Sequence, residues 1–418
     1  MQKYLHALLV FLMFAWITGS CNYSRPAIAS TPNNNSCISP ITSLAYPIDG
    51  YSKSMQIDQT EPLLPWQVEK DIPQPLPLNQ LSYNFIEPQF VRTVRGETEV
   101  WLMSTWGAKD DNSFKHTIYV YQTNSKSWHE VSSIIDEVPA EIVHLYLGTD
   151  GTIWASASRE IGHAYGYSAY AKSTPKFVFG VYDEEKSKFE LLDFPERVPL
   201  GPIAFNNDKF WIFERYGPIY DVDPRNLQIT KYIDPRTSDL AQSMDLPEHL
   251  VSSDNALVFM NDESFYFLDD TPKYYTSQDV TLFHFIPEKN TLEAIPSINR
   301  LEGGPPYTDL FADRSGNLWV SDFGWMDKTG EWYQLIRSPV FISTKVEATP
   351  ILWEHPQIVL ESSNGLLWFR STNGMVSLDP QKGEWCWFTT YQSNIVEDSD
   401  QNLWMIADNK LYKYPLNP

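Results

Sequence analysis

The side chains that could carry out chemistry are spread thinly over the 418 residues. The eight histidines stand singly, and the chain contains no G-x-S-x-G, no H-E-x-x-H and no Walker phosphate-binding motif. The sequence therefore predicts no catalytic residue, no metal-binding residue and no cofactor. An ion held by residues from several distant segments stays open, with His144 and His355 noted as candidates. The alternative for both is a structural histidine with satisfied hydrogen bonds.

A second group of side chains is better suited to binding than to catalysis. Aromatic rings and arginines follow several strand-like segments, and residues 158–174 are rich in them. Planar rings and guanidinium groups match sugars, peptides or acidic small molecules. The candidate ligand-binding residues are Trp106, Arg159, His163, Tyr165, Arg215, Tyr216, Trp325 and Arg370. The alternative is that these side chains cap strands or lie in solvent.

Residues 1–21 have the features of an export signal. Lys3 provides a basic start, and the apolar run of residues 7–17 is too short to span a bilayer comfortably. Small residues directly before Cys21 resemble the bacterial lipoprotein signal, which implies lipid attachment at Cys21. The other interpretation is an ordinary cleaved signal peptide in which Cys21 has no role.

The two remaining cysteines are Cys37 and Cys386. An oxidising compartment permits a disulfide between them, which would pin the N-terminal region to a distant part of the chain. Two unpaired thiols are the alternative.

A repeated sequence phrase predicts the strands that must position these residues. Its copies are GTDGTIWASASR from residue 148, DRSGNLWVSDFG from 313, ESSNGLLWFRSTNG from 361 and EDSDQNLWMIADN from 397. Each copy is a polar turn followed by a hydrophobic residue, a Trp and a short strand-like run. Two such runs joined by a Gly-containing turn predict a β-hairpin. Two further strands follow most copies, which gives four strands per repeat.

Weaker copies bring the number to seven. Their expected anchor residues, at the place of the repeated Trp, are Trp101, Trp154, Trp211, Val258, Trp319, Trp368 and Trp404. From residue 82 to 418 the chain allots about 48 residues to each copy, which is within the range for blades. The sequence predicts an all-β fold, a seven-bladed β-propeller of four-stranded antiparallel blades, with six or eight blades as alternatives. The anchors are expected to pack between neighbouring sheets.

The last copy is short, since only 14 residues follow Trp404. An incomplete sheet would leave an unpaired edge. We therefore expect a strand from residues 41–82 to complete the last blade and close the ring. The predicted organisation is a signal over 1–21, a Pro-, Ser- and Asn-rich tether over 22–81, and a propeller over 82–418.

The phrase D-x-x-G-x-L-W followed by a Gly resembles the two-component regulator propeller repeat. Asp313, Gly316, Leu318 and Trp319 match it, as do residues 364–374 and, with Asn402 in place of Gly, residues 400–404. In that family the repeats form extracellular sensor domains that recognise carbohydrates among other ligands. The resemblance implies the fold and a ligand-binding habit, whereas the kinase role is not expected here. A similar repeat occurs in streptogramin lyases, which are propeller enzymes.

The amino-acid composition limits the classes of molecule that the protein can bind. The 53 acidic against 31 basic residues give a formal charge of −22, which argues against nucleic acid and against anionic lipid as partners. The leading hypothesis is a lipid-anchored extracytoplasmic binding or protein-interaction module at the cell or outer membrane, whose ligand is a carbohydrate, a peptide or an envelope protein. The alternatives are a lyase or lactonase with a metal in the channel, and a subunit of an envelope assembly.

Overall fold

A computed structural model gives the fold of the chain, which lies within the unit formed by residues 34–418. The structure describes residues 37–38, 45–47, 66–73, 81–108, 114–135, 137, 140–158, 177–194, 203–213, 218–232, 257–268, 279–299, 310–320, 324–335, 357–371, 374–382, 384–389 and 394–416. These ranges contain seven antiparallel sheets, a single short 3₁₀ turn at Pro287–Lys289, and no helix long and apolar enough to cross a membrane. The seven-bladed β-propeller is confirmed.

The first three blades follow one another along the chain. Blade 1 consists of β4 (Leu81–Val94), β5 (Glu97–Ala108), β6 (Phe114–Gln122) and β7 (Ser127–Val131). Blade 2 consists of β8 (Ile134–Ile135), β9 (Ala140–Leu147), β10 (Ile153–Ser158), β11 (Phe177–Asp183) and β12 (Lys188–Leu191). Blade 3 consists of β13 (Ile203–Asn206), β14 (Lys209–Phe213), β15 (Ile219–Asp223) and β16 (Gln228–Lys231).

The next blades have the same plan. Blade 4 consists of β17 (Leu257–Phe259), β18 (Phe265–Leu268), β19 (Asp279–Ile286) and β20 (Thr291–Asn299). Blade 5 consists of β21 (Leu310–Ala312), β22 (Leu318–Val320), β23 (Gly324–Met326) and β24 (Trp332–Leu335). Blade 6 consists of β25 (Gln357–Glu361), β26 (Leu367–Ser371), β27 (Gly374–Asp379) and β28 (Glu384–Thr389). Blade 7 contains β29 (Ile395–Glu397), β30 (Asn402–Ala407) and β31 (Lys410–Pro415).

The repeated phrase forms the hairpin between the first two strands of a blade. In blade 5 the carboxylate of Asp313 accepts hydrogen bonds from the Asn317 backbone N–H at 2.9 Å and from the indole of Trp319 at 2.8 Å. Gly316, three residues before the Trp, has a φ of +84°, a conformation that costs glycine little. The Asp313 side chain thus fixes both the turn and the indole of Trp319, which explains why the Asp and the Trp of the repeated phrase are six residues apart.

The anchors pack at the seams between blades, as the sequence predicted. Trp101, Trp368 and Trp404 are fully buried, and each lies in an apolar cluster shared with the next blade. Seven such clusters occur, one for each pair of neighbouring blades, and the last joins blade 7 to blade 1. Burying each ring contributes about 2–3 kcal/mol.

The anchor expected in blade 4 was placed wrongly. Val258 lies in β17 and pairs with Tyr266 of β18, and Tyr266 occupies the position of the Trp in the other blades. The backbone bonds show this, because Met260 and Ser264 bracket the turn as Asp313 and Asn317 do in blade 5. The turn in blade 4 has Met260 where blade 5 has Asp313, and Glu263 where blade 5 has Gly316, so the sequence did not show where this hairpin turns.

The N-terminal region supplies three strands. β3 (Gln67–Asp71) pairs with β31 and gives blade 7 its fourth strand, within the range 41–82 in which a closing strand was expected. β1 (Cys37–Ile38) adds to the outer edge of blade 6, and β2 (Ala45–Pro47) adds to the outer edge of blade 5. The segment that the sequence identified as a tether is therefore partly built into the propeller.

Candidate functional site

The two ends of the propeller differ in how their strands are connected. The turns between first and second strands are short, such as Arg95–Gly96 and Asn207–Asp208, which both have positive φ at each residue. At the other end the connections between second and third strands vary in length: residues 159–176 in blade 2 and 269–278 in blade 4 make long connections, whereas only residues 372–373 in blade 6 and 408–409 in blade 7 join these strands. Long connections on a rigid scaffold are where binding residues concentrate. We call this second end the open end.

The register of the blades defines a layer of side chains toward the open end. Two positions after the anchor, a residue of the anchor strand pairs with a residue of the neighbouring inner strand. In three blades that partner is polar: Glu87 pairs with Met103, His144 with Ser156, and Gln357 with Arg370. Glu87 stands on β4, Gln357 on β25, and His144 on β9, which pairs with the anchor strand of blade 2 as β4 and β25 do in theirs; β4 contacts β9 and β29, and β29 contacts β25. Equivalent places in blades 1, 2 and 6 therefore carry a carboxylate, an imidazole and an amide.

Arg370 connects two members of this layer. Its guanidinium donates to Glu87 Oε1 at 2.9 Å and also to Gln357 Oε1. The two charged side chains are half-buried, with relative exposures of 26% for Arg370 and 17% for Glu87. Burial raises the pKa of Glu87, and the charge of Arg370 opposes that rise without cancelling it. The pair thus presents a hydrogen-bond donor and an acceptor in fixed positions, at a place from which water is partly excluded.

A second polar cluster lies at the same end, between blades 1 and 2. The backbone N–H of His116 donates to the Glu141 carboxylate at 2.6 Å, and the ring Nδ1 lies 3.0 Å from the Thr105 hydroxyl. Burial, assisted by the nearby His144, lowers the pKa of His116 to about 4. The ring is therefore neutral at pH 7 and acts as a hydrogen-bonding group rather than a charge.

Blade 1 extends past the Glu87 layer. The six residues of β4 from Leu81 to Ile86 precede Glu87 and pair with residues 104–108 of β5. At about 3.3 Å per residue this extension is roughly 20 Å long. Phe85 lies on it and is 43% exposed, one of two large hydrophobic side chains exposed to that degree in the described part of the chain. A partly exposed aromatic ring thus lies two residues from Glu87 on the same strand.

The predicted binding residues have different fates. Arg370 takes part in the polar layer, and Trp106 lies near the end of β5, with its backbone opposite Asn84 and Lys115. Trp325 is half-buried and stacks on the anchor Trp319 at 4.7 Å between ring centroids, so packing accounts for its observed contact. The other five residues lie outside the described residues: Arg159, His163, Tyr165, Arg215 and Tyr216.

Sequence reasoning missed Glu87 and Gln357. Neither stands in a motif, and only the strand register brings them level with each other. A regular hairpin drawn outward from the turn of blade 6 would put Ile358 opposite Arg370, and only the bulge between Ile358 and Leu360 moves Gln357 into that place. No local pattern marks Glu87, since its partner Arg370 is 283 residues away.

One contact has the residue types of a hydrolase. His284 Nε2 lies 2.9 Å from the Ser264 hydroxyl, and the other ring nitrogen lies 3.9 Å from Glu293. Ser264 Oγ donates to Asp262 at 2.6 Å and the residue is only 2% exposed, so the hydroxyl is committed to the turn of blade 4. Among the described residues no three His, Cys, Asp or Glu side chains are grouped to hold a metal ion.

Comparison with known proteins gives distant structural likenesses. No family model and no curated protein matches the chain. The extracellular domain of a protein described as a hybrid two-component system of Bacteroides thetaiotaomicron is 13% identical, with 82% of this chain and 42% of that chain covered and a TM-score of 0.44. A second extracellular domain, from a protein described as a one-component system of that organism, is 12% identical, with 82% and 59% covered and a TM-score of 0.38.

A third solved structure gives a likeness of similar strength. The β-propeller domain of Cps50 (Swd1) from Myceliophteria thermophila is 11% identical, with 79% of this chain and 98% of that chain covered and a TM-score of 0.44. The chain spans about two fifths and three fifths of the length of the two Bacteroides chains. At these identities and TM-scores neither a ligand nor an activity is transferred from any of the three.

Proposed function

We propose that the protein is an exported, lipid-anchored binding module whose ligand docks at the open end of the propeller. The observation that carries this proposal is the layer formed by Glu87, Gln357 and Arg370, where a fixed arginine and a fixed carboxylate meet across the ring. Structural ion pairs of this kind also occur without ligands, so the exposed Phe85 two residues from Glu87 is the further support.

The chemistry of the layer limits the ligand. Arg370 and Glu87 balance each other's charge, so the place offers donors and acceptors together rather than a net charge. A ligand with neighbouring hydroxyl or amide groups satisfies both kinds of group, and an apolar face can rest on Phe85. Carbohydrates and peptides meet these requirements, as does an exposed loop of an envelope protein.

The state of Cys386 supports export. Cys386 is disulfide-bonded, and stable disulfides belong to oxidising compartments outside the cytoplasm. Membrane attachment would come from lipid at Cys21, because each buried CH₂ of an acyl chain contributes about 0.8 kcal/mol.

The lipid attachment has a direct test. Cells that produce the full chain are fed an alkyne-labelled fatty acid, and the protein is examined for label. We expect label on the wild type and none on Cys21→Ala. Equal labelling of both proteins, or an unlabelled wild type, would reject Cys21 as the attachment site.

Binding is tested with glycan and peptide arrays, followed by titration of whichever probe is retained. Arg370→Lys keeps the charge but loses the planar fork, and we expect affinity to fall about tenfold or more. The matched control is Lys186→Gln, which removes a positive charge from an exposed turn between β11 and β12. Equal affinity of the Arg370 variant and the control would place the ligand elsewhere, and catalytic turnover of a retained probe would contradict a binding role.

A further inference from the structure

The N-terminal strands β1 and β2, here called the arm, are held on the propeller in an unusual way. The arm crosses the outer edges of two neighbouring blades, where β1 pairs with β28 and β2 pairs with β24. Ring closure is a separate event further along the chain, where β3 pairs with β31 of blade 7. The same N-terminal region therefore makes two attachments of different kinds.

The arm is too short to hold itself in place. Its strands contain two and three residues. Each backbone hydrogen bond contributes about 0.5–1.5 kcal/mol net, whereas ordering each residue costs about 1–2 kcal/mol. Five residues therefore cost about as much to order as their hydrogen bonds return, or more. Something beyond strand pairing must keep the arm on the rim.

The closing strand does not have this problem. Trp66, just before β3, packs against Trp368 at 6.3 Å and Tyr414 at 5.5 Å between ring centroids. Ile72, just after it, is 4% exposed in the seam between blades 7 and 1. Apolar contacts at both ends thus fix β3 independently of the arm.

A disulfide can hold the arm in addition to strand pairing. Cys386 of β28 is disulfide-bonded, and the backbone register places Cys37 of β1 directly opposite it. Directly opposed residues of antiparallel strands have Cα atoms about 4.5–5.5 Å apart, which is within the range that a disulfide spans. The only other cysteine in the chain is Cys21.

We propose that Cys386 is bonded to Cys37 and that this bond is a redox latch for the arm. A dithiol reductant gives two electrons and two protons to the bond, which leaves two thiols and the oxidised, cyclic disulfide of the reductant. The arm then leaves the edges of blades 5 and 6, while β3 keeps the ring closed. Two sheet edges become available for pairing, and the 28 residues between Cys37 and Trp66 become a linker of about 30 Å root-mean-square length.

Hydrogen exchange on the full chain tests the latch, before and after treatment with dithiothreitol. Reduction should raise exchange in peptides covering residues 37–50 at least tenfold, while residues 66–73 and 410–415 keep their protection. Peptide mapping without reductant should recover Cys37 joined to Cys386. Cys386→Ser should fold and show the released arm without reductant, and Cys21→Ala should show the latched arm.

Several results would overturn the latch. A bond from Cys386 to Cys21 would remove its chemical basis, and unchanged exchange in residues 37–50 after reduction would show that pairing alone holds the arm. Loss of protection in residues 66–73 on reduction, or failure of Cys386→Ser to fold, would show that ring closure depends on the bond. None of these outcomes bears on ligand binding at the open end.

Discussion

Arg370 of blade 6 donates a 2.9 Å hydrogen bond to Glu87 of blade 1, although blade 7 lies between these blades in the ring. The contact therefore crosses the open end of the propeller instead of following its rim. It joins the last complete repeat to the first strand of the ring, so it also spans the place where the two ends of the propeller domain meet. The proposed binding surface and the closure of the ring therefore share these two side chains.

The energetic role of this pair depends on pH. Burial raises the pKa of Glu87, so ionisation of this side chain costs free energy in the folded protein. The charge of Arg370 reduces that cost. In Arg370→Gln the folded pKa of Glu87 rises further, and stability is lost as pH rises through that value. We expect a cost of about 1–2 kcal/mol at pH 7 and a clearly smaller cost at pH 4, measured by urea unfolding.

The control for this measurement is an exposed ion pair. Lys186 lies in the turn between β11 and β12, and 54% of its side chain is exposed. It pairs with Glu190 of β12. Lys186→Gln should leave the free energy of unfolding nearly unchanged at either pH, because solvent screens the pair. An Arg370→Gln cost that is the same at pH 4 and pH 7 would mean that Glu87 is not the group that responds.

The repeated Asp-to-Trp contact predicts a large local cost. In blade 7 Asp398 accepts hydrogen bonds from the Trp404 indole and from the Asn402 backbone N–H, both at 2.8 Å. Asp398→Ala leaves these buried donors without an acceptor, and each orphaned donor costs about 1–3 kcal/mol. We expect a loss of about 2–4 kcal/mol in the free energy of unfolding, measured by chemical denaturation.

A neighbour in the same turn provides the comparison. Asp400 is exposed, and its backbone N–H donates to Asp398. Asp400→Ala keeps that N–H and should cost less than about 0.5 kcal/mol. If the two variants lose similar amounts, the turn is sensitive to any substitution and the indole contact is not what stabilises it.

The sequence was informative where the determinants are local. The contact from Asp313 to Trp319 spans six residues, so the residue types that it needs appear together in a short stretch of sequence. The positive φ of Gly316 adds a second local constraint, which makes the hairpin visible in sequence. In blade 4 the equivalent positions are Met260 and Glu263, and the phrase disappears although the same turn forms. Neighbouring blades fix that hairpin through packing, which no short pattern records.

The candidate site was harder to predict because it is assembled by register between blades. Arg370 was identified by its type, but its partner Glu87 is 283 residues away and carries no distinguishing neighbours. The arm was missed for a similar reason. Strands of two or three residues have no periodicity to detect, and only the Cys37 and Cys386 pair hinted that the N-terminal region returns to blade 6.

Ring closure should depend on a single aromatic side chain next to β3. Trp66 packs against both Trp368 and Tyr414 and so links blade 6, blade 7 and the N-terminal region. Trp66→Ala should lower the free energy of unfolding by about 2–4 kcal/mol and raise hydrogen exchange in β3. Val68→Ala on the same strand is the control, because Val68 is 52% exposed. An equally small effect of both substitutions would show that strand pairing alone closes the ring.

The depressed pKa of His116 predicts a loss of stability in acid. The unfolded chain takes up a proton near pH 6.5, whereas folded His116 does so only near pH 4 because it is buried beside His144. Stability from this group is complete above pH 6.5 and is lost as pH falls toward 4. Between pH 7 and pH 4.5 the loss is about 2–3 kcal/mol from His116 alone.

His116→Gln isolates this contribution. Gln does not titrate, and its amide can still bond to the Thr105 hydroxyl that lies 3.0 Å from the His116 ring. Unfolding free energies of both proteins are measured by urea denaturation at pH 7 and pH 4.5. The variant should lose about 2–3 kcal/mol less than the wild type over this interval, because all other titrating groups are shared. Parallel losses in the two proteins would mean that the folded ring takes up its proton as readily as the unfolded one, and the cluster with Glu141 would then be charged at mildly acidic pH.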